Sequence, residues 1–165
     1  MKPLPTQDRL KEILDYDPET GVLRWRVQQA RMKAGDIAGS TTDTGYWRIS
    51  IDGRVFKAHR IIWKFMTGED PPAEVDHVDT IGLNNRWSNL RLASSSQNKA
   101  NARLRSDNTS GLKGSSWHKQ IKRWISYIHK DGKRHHLGTF DSAQDAHAAY
   151  LIAATRMHGE FARAA

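Results

Sequence analysis

The stretch from Val75 to Asn98, VDHVDTIGLNNRWSNLRLASSSQN, constrains this chain more than any other. It places an Asp-His pair (Asp76, His77) twelve residues before Asn89, which lies nine before Asn98. Short apolar runs at Val75 and at Leu90 and Leu92 bracket a polar loop. Ser94-x-x-Gln97 then has the form of a capping box that opens a helix. The pattern is strand, loop, strand, helix, with polar groups converging from all of them. A histidine with a pKa near 6.5 takes a proton from water at neutral pH. A hard divalent cation supplies a Lewis acid and prefers oxygen ligands such as Asp and Asn. Phosphodiester hydrolysis needs these residue types. One geometric requirement follows. Neighbours on a flat strand point to opposite faces, so Asp76 and His77 share one site only if the strand ends or bulges there.

These residues resemble the HNH nuclease family with its ββα-metal fold, in the variant that ends in Asn, over roughly residues 10–103. The preceding KAHRIIWKFMTGEDPP also resembles phage-type members. The resemblance implies that His77 is the general base and that Asp76 and Asn98 hold one divalent metal ion, Mg2+ with Mn2+ as the other choice. Asn89 would pin the loop and help to orient His77. Singly, each residue has a plainer explanation. An Asp-His pair is commonly a surface pair, Asn89 a turn residue, and Asn98 a solvated helix residue. Asn84 and Asn85 read as turn residues. The four at this spacing favour the nuclease.

A chain of 165 residues makes one ordinary domain or two small ones. Its net charge of +8 favours an acidic partner, nucleic acid first. An anionic membrane is the rival, but no run approaches the ~18 apolar residues of a span, and no signal-peptide pattern opens the chain. There are no cysteines, which removes disulfides and Cys-based zinc sites and suits a reducing interior.

Residues 6–14 show helical spacing at Leu10, Ile13 and Leu14. Tyr16 to Gly21 is turn chemistry, and Val22 to Arg26 reads as a strand. Residues 27–44 read as a loop. Tyr46 to Ile51 and Arg54 to Ala58 are strands joined at Asp52-Gly53, a hairpin signal. A helix follows, with Ile61, Ile62, Phe65 and Met66 on one face, Trp63 and Phe65 in the core, and Gly68 as its stop. His59 is expected to be a buried histidine satisfied by hydrogen bonds.

Beyond the capped helix the composition changes. Arg103 to Ser110 is polar, which divides the chain into domain 1–103, linker 104–110 and domain 111–165. From Arg105 to His136, eight lysines and arginines face two aspartates. Such a run is commonly a solvated face. Here it is clustered with Trp117, Trp124 and four histidines on a strand-rich piece, which favours a phosphate-binding surface. Trp124 to His129 and Lys133 to Leu137 flank the turn Asp131-Gly132. Ser142-x-x-Asp145 opens an alanine-rich helix. The expectation is a three-stranded sheet on one helix, and an α+β fold for the chain.

That order, with Leu137-Gly138-Thr139-Phe140 and Ala148-Ala149-Tyr150, resembles the AP2/ERF DNA-binding domain over roughly residues 108–163. The resemblance implies that the sheet enters the major groove. Alternation then puts Trp124, Ser126, Ile128 and Leu137 on the helix. Tyr127, His129, Arg134 and His136 face DNA, with Lys113 and Lys119 beside them. His129 and His136 stand where the plant factors commonly have Arg and Trp, so the target sequence is not inherited. The functional expectation is a monomeric, intracellular, phage-type or homing endonuclease that nicks double-stranded DNA and needs no protein partner. The alternatives are a non-catalytic DNA-binding regulator with a vestigial nuclease domain, and an RNA-binding protein.

Overall fold

The computed structural model describes residues 3–29, 31–104 and 107–163. Helices and mostly antiparallel sheets alternate, giving an α+β fold. The chain divides into two compact units, Met1–Leu92 and Ala93–Ala165. The division falls ahead of the helix that carries Asn98. Arg105 and Ser106, within the expected linker, lie outside the described residues.

In the first unit, helix α1 (Gln7–Ile13) is capped by Thr6, whose hydroxyl accepts from the Arg9 N–H. Strands β1 (Leu14–Asp17) and β2 (Val22–Trp25) pair antiparallel, Leu14 opposite Trp25. Leu14 thus begins a strand, and Tyr16 and Asp17, read as turn residues, end it. A short strand β3 (Ser40–Thr41) lies within the expected loop and joins β4 (Trp47–Ile51) and β5 (Arg54–Lys57). The β4–β5 turn has φ of 49° at Asp52 and 73° at Gly53, positive at both positions as two-residue hairpins demand. Helix α2 (Ala58–Thr67) stops at Gly68, a left-handed cap. It packs on α1, β4, β5 and β6 (Glu74–His77) through Ala58, Ile61 and Ile62. Met66, expected on that buried face, is exposed, because the core contact is complete one turn earlier; Trp63 and Phe65 are partly buried against the core. Strand β6 pairs with β7 (Leu90–Ala93), and Val75 and Leu90 join Leu10, Ile13, Leu14, Leu23 and Ile49 in one core. That core anchors both ends of the polar loop at residues 78–86.

The second unit begins with α3 (Ser95–Asn101), opened by the capping box in full: the Ser94 hydroxyl accepts from Gln97 N–H, and the Gln97 side chain accepts from Ser94 N–H. A three-stranded sheet runs in the order β10 (Lys133–Phe140), β9 (Arg123–Lys130), β8 (Ser115–His118). Helix α4 (Ala143–His158) packs on all three strands. Ile128, Tyr150 and Ala154 form the centre, with Leu137 against them. Ser126 is fully buried, as its parity predicts. Trp124, expected on α4, stacks edge-on against Trp117 at 5.3 Å, because the two face each other across β8 and β9. Among the described residues no helix is long and apolar enough to cross a membrane.

Candidate active site

Strand β6 delivers Asp76 and His77 as its last two residues, both buried. The Asp76 carboxylate accepts from Arg91 Nε at 3.2 Å, an ion pair shielded from solvent on both sides. The His77 ring sits among aromatic groups. His59 of α2 meets it edge-on at 5.0 Å between centroids, and Tyr46 lies 6.0 Å from it. The Lys57 ammonium lies 4.7 Å from the centre of the Tyr46 ring.

His77 Nε2 lies 3.1 Å from Asn85 Oδ1 in a buried hydrogen bond. The Asn85 Nδ2 donates to the Leu83 carbonyl at 3.4 Å, so its oxygen is the atom turned to the ring. An amide oxygen only accepts. With the amide oxygen as acceptor, this contact assigns the ring proton to Nε2 and the acceptor role to Nδ1. Burial lowers the pKa of His77, while the Asn85 hydrogen bond and the charges of Asp79 and Asp76 restore part of it. The net direction is down, which leaves the imidazole neutral and able to accept.

The loop is fastened by a second carboxylate. Asp79 accepts from the Ile81 N–H at 2.8 Å, Asn84 Nδ2 at 2.6 Å and Asn89 Nδ2 at 3.0 Å. Burial raises Asp79, but those donors outweigh it and hold the carboxyl below its ordinary value. Asn89 also donates to the Asn84 carbonyl at 2.7 Å, and its Oδ1 accepts from the Asp79 N–H at 3.1 Å. Its backbone carbonyl accepts from Val78 N–H at 2.9 Å. Gly82 lets the loop lie on the 45–46 peptide, where a Cβ would come 2.5 Å from the Gly45 carbonyl oxygen.

Asp76, His77 and Asn89 are thus brought together in the first unit. Pinning the loop, one of the two tasks expected of Asn89, is what its side chain does. The side chain that accepts from the His77 ring is Asn85, while the Asn89 amide is taken up by Asp79 and the Asn84 carbonyl. Asn85 reads as a turn residue; its partner is eight positions away, so local spacing carries no sign of the contact. His59 is buried as expected but not satisfied: its Nδ1 has no hydrogen-bond partner. Burial, and then the proximity of His77, push its pKa down to about 3. Asn98 lies half-buried on α3 in the second unit, where its N–H donates to the Ser94 carbonyl.

Of the residues expected at DNA, Tyr127, His129, Arg134 and His136 share one face of β9 and β10. Tyr127 is opposite His136, and His129 is opposite Arg134. The Arg134 guanidinium lies over the Tyr127 ring at 4.2 Å, and the His136 ring is 5.2 Å from it. Their register shift at His136/Gly138 follows this patch and leaves Leu137 to the helix side. Lys119 is exposed after β8. Lys113 is placed apart from that face. Its ammonium donates to the carbonyls of Ala100 and Ala102 at 2.6 and 2.7 Å, closing the C-terminal end of α3. Burial lowers its pKa to about 8. The chain turns inward there, and two of the three ammonium donors are taken by the helix carbonyls.

Among the described residues, no three His, Asp or Glu side chains are grouped to hold a metal by themselves. The buried Asp76 carboxylate is a hard oxygen donor, and the Asn98 amide is of the same kind. Magnesium commonly takes one or two protein oxygens and completes its shell with water and substrate phosphate. The donor chemistry fits that use, not an all-protein cage.

The family profile described as HNH endonuclease matches residues 56–100, which hold Asp76, His77, Asn85, Asn89 and Asn98. The chain is 35% identical to "Protein 3.8" of Escherichia phage T7 over 109 residues, covering 65% of this chain and 88% of that protein. It is 31% identical to "Uncharacterized HNH endonuclease L560" of Acanthamoeba polyphaga mimivirus over 116 residues. That match covers 69% of this chain and 59% of the viral protein. No solved structure matches significantly. With 88% of the phage protein covered and the HNH profile on the site, the chain belongs to the family of phage T7 protein 3.8 and carries an HNH endonuclease domain.

Proposed function

We propose that this protein is a divalent-metal-dependent DNA endonuclease that nicks duplex DNA as a monomer, inside a bacterial host and of phage type. The observation that carries this is the buried His77 ring at the end of β6, with its Nε2 3.1 Å from Asn85 Oδ1. Nδ1 of His77 takes a proton from water. The water oxygen attacks phosphorus, the bond to the leaving oxygen breaks, and that oxygen takes a proton from solvent water. Asp79 and Asn89 keep the loop from moving while this happens, so Asn85 stays on the ring. Asp76 and Asn98 would hold one Mg2+ or Mn2+, which when bound supplies Lewis-acid stabilisation of the phosphate charge. The AP2-like sheet, through Tyr127, His129, Arg134, His136 and Lys119, would hold the DNA.

The test is single-turnover cleavage and a gel-shift assay with wild type and His77→Ala. Removing a general base costs about a hundredfold to ten-thousandfold in rate, and the affinity for DNA should change by less than about twofold. Equal cleavage by both proteins would remove His77 from this role.

A further inference from the structure

The β1–β2 hairpin lies outside the span matched by the HNH profile. Three contacts join it to residues 85–87. The Tyr16 hydroxyl donates to the Asn85 carbonyl at 2.8 Å. The Trp87 N–H donates to the Pro18 carbonyl at 3.0 Å. At Gly21, with φ of 76°, a Cβ would come 2.4 Å from both the Asn85 carbonyl carbon and the Arg86 nitrogen, so only glycine permits the approach. Together they fix the Asn85–Arg86 peptide from both sides. The side chain springing from that peptide holds the His77 ring. The Tyr16 ring is itself held, edge-on to Phe65 of α2 at 6.1 Å. Burial raises its pKa, so the phenol remains a donor.

We infer that Tyr16 is a positioning residue for the nuclease: acting through the Asn85 peptide, it keeps the Asn85 amide on His77 Nε2 and so holds the ring in the orientation and tautomer in which Nδ1 acts as base. This rests on the proposed role of His77. A buried hydrogen bond of 3.1 Å leaves little slack. An imidazole whose partner drifts exchanges tautomers, and the Nδ1–H form cannot accept a proton at Nδ1. Displacements of about 1 Å at a catalytic group cost up to roughly a hundredfold in rate.

The test uses the full chain with Tyr16→Phe, which keeps the ring against Phe65 and removes only the hydroxyl. The kcat for nicking should fall roughly tenfold with KM for DNA unchanged. The 15N spectrum of the His77 ring should pass from a single Nε2–H tautomer to a mixture. Asn85→Leu should give the same signature, and adding Tyr16→Phe to it should lower kcat no further, since both changes act along one path. Unchanged kcat with a single tautomer in Tyr16→Phe, or rate effects that add in the double variant, would overturn the inference. The ring spectrum needs no cleavage. If the wild type does not cut DNA, the nuclease proposal fails, while the spectrum still decides whether Tyr16 and Asn85 set the His77 tautomer.

Discussion

His77 and His59 meet edge to face in a pocket that burial keeps uncharged. Both folded pKa values lie below the ordinary 6.5. Below that pH the unfolded chain therefore binds more protons than the folded one. Stability is complete above about pH 6.5 and falls as the pH drops toward about 3, where His59 finally protonates in the fold. His59 contributes a slope of up to roughly 1.4 kcal/mol per pH unit in that window, and His77 adds to it in the same direction. Urea midpoints between pH 7 and 4.5 should fall less steeply for His59→Phe than for wild type; parallel lines would contradict the burial of a neutral His59. Asn89 makes a different contribution, since it satisfies three polar groups of the loop at once. Asn89→Ala should destabilise the protein by about 2 kcal/mol in chemical denaturation, because partners are left unsatisfied indoors. A change below about 0.5 kcal/mol would mean that water replaces the amide freely.

Elements with local signals are legible in the amino-acid sequence. Ser94 and Gln97 cap α3 through residues three apart, Gly68 ends α2, and Asp52-Gly53 and Asp131-Gly132 turn the hairpins because each demand is met within four residues. The HNH-type domain, matched over residues 56–100, is legible in the spacing of its polar residues. Long-range partners are not. Asn85 reads like its neighbour Asn84, and Tyr16 like part of a turn, because their hydrogen bonds reach 8 and 69 residues along the chain. Lys113 reads like a phosphate ligand because charge is visible in a sequence and a fold-back onto helix carbonyls is not. A helix as short as α3, with seven residues, does not persist on its own. The Lys113 ammonium at its end, and Ser96 Oγ, which accepts from the Asp131 N–H at 3.2 Å, tie it into the second unit. Lys113→Ala should therefore lower the thermal stability of that unit by about 1 kcal/mol and leave the salt dependence of DNA binding as it is. A flatter salt dependence with stability intact would restore Lys113 to the phosphate surface.

For the molecule as a whole, charge is unevenly spread. The stretch from Arg105 to His136 holds eight lysines and arginines against two aspartates, in a chain of net charge +8. Binding that uses this surface releases counterions, and each phosphate left without its cation should reduce the slope of log K against log salt by about 1. Arg134→Ala should do so, weakening affinity alike across sequences, as measured by titration at several salt concentrations. An unchanged slope would turn the Tyr127–Arg134 face away from DNA. The central claim concerns what happens after binding. Its most direct measurement is the conversion of supercoiled plasmid, drawn from a pool with randomised inserts, by the full chain in Mg2+ or Mn2+ with and without chelator. Open circles that accumulate with metal and cease with chelator are the predicted result; DNA that is bound but never opened, or opened equally in chelator, would contradict a metal-dependent nicking endonuclease.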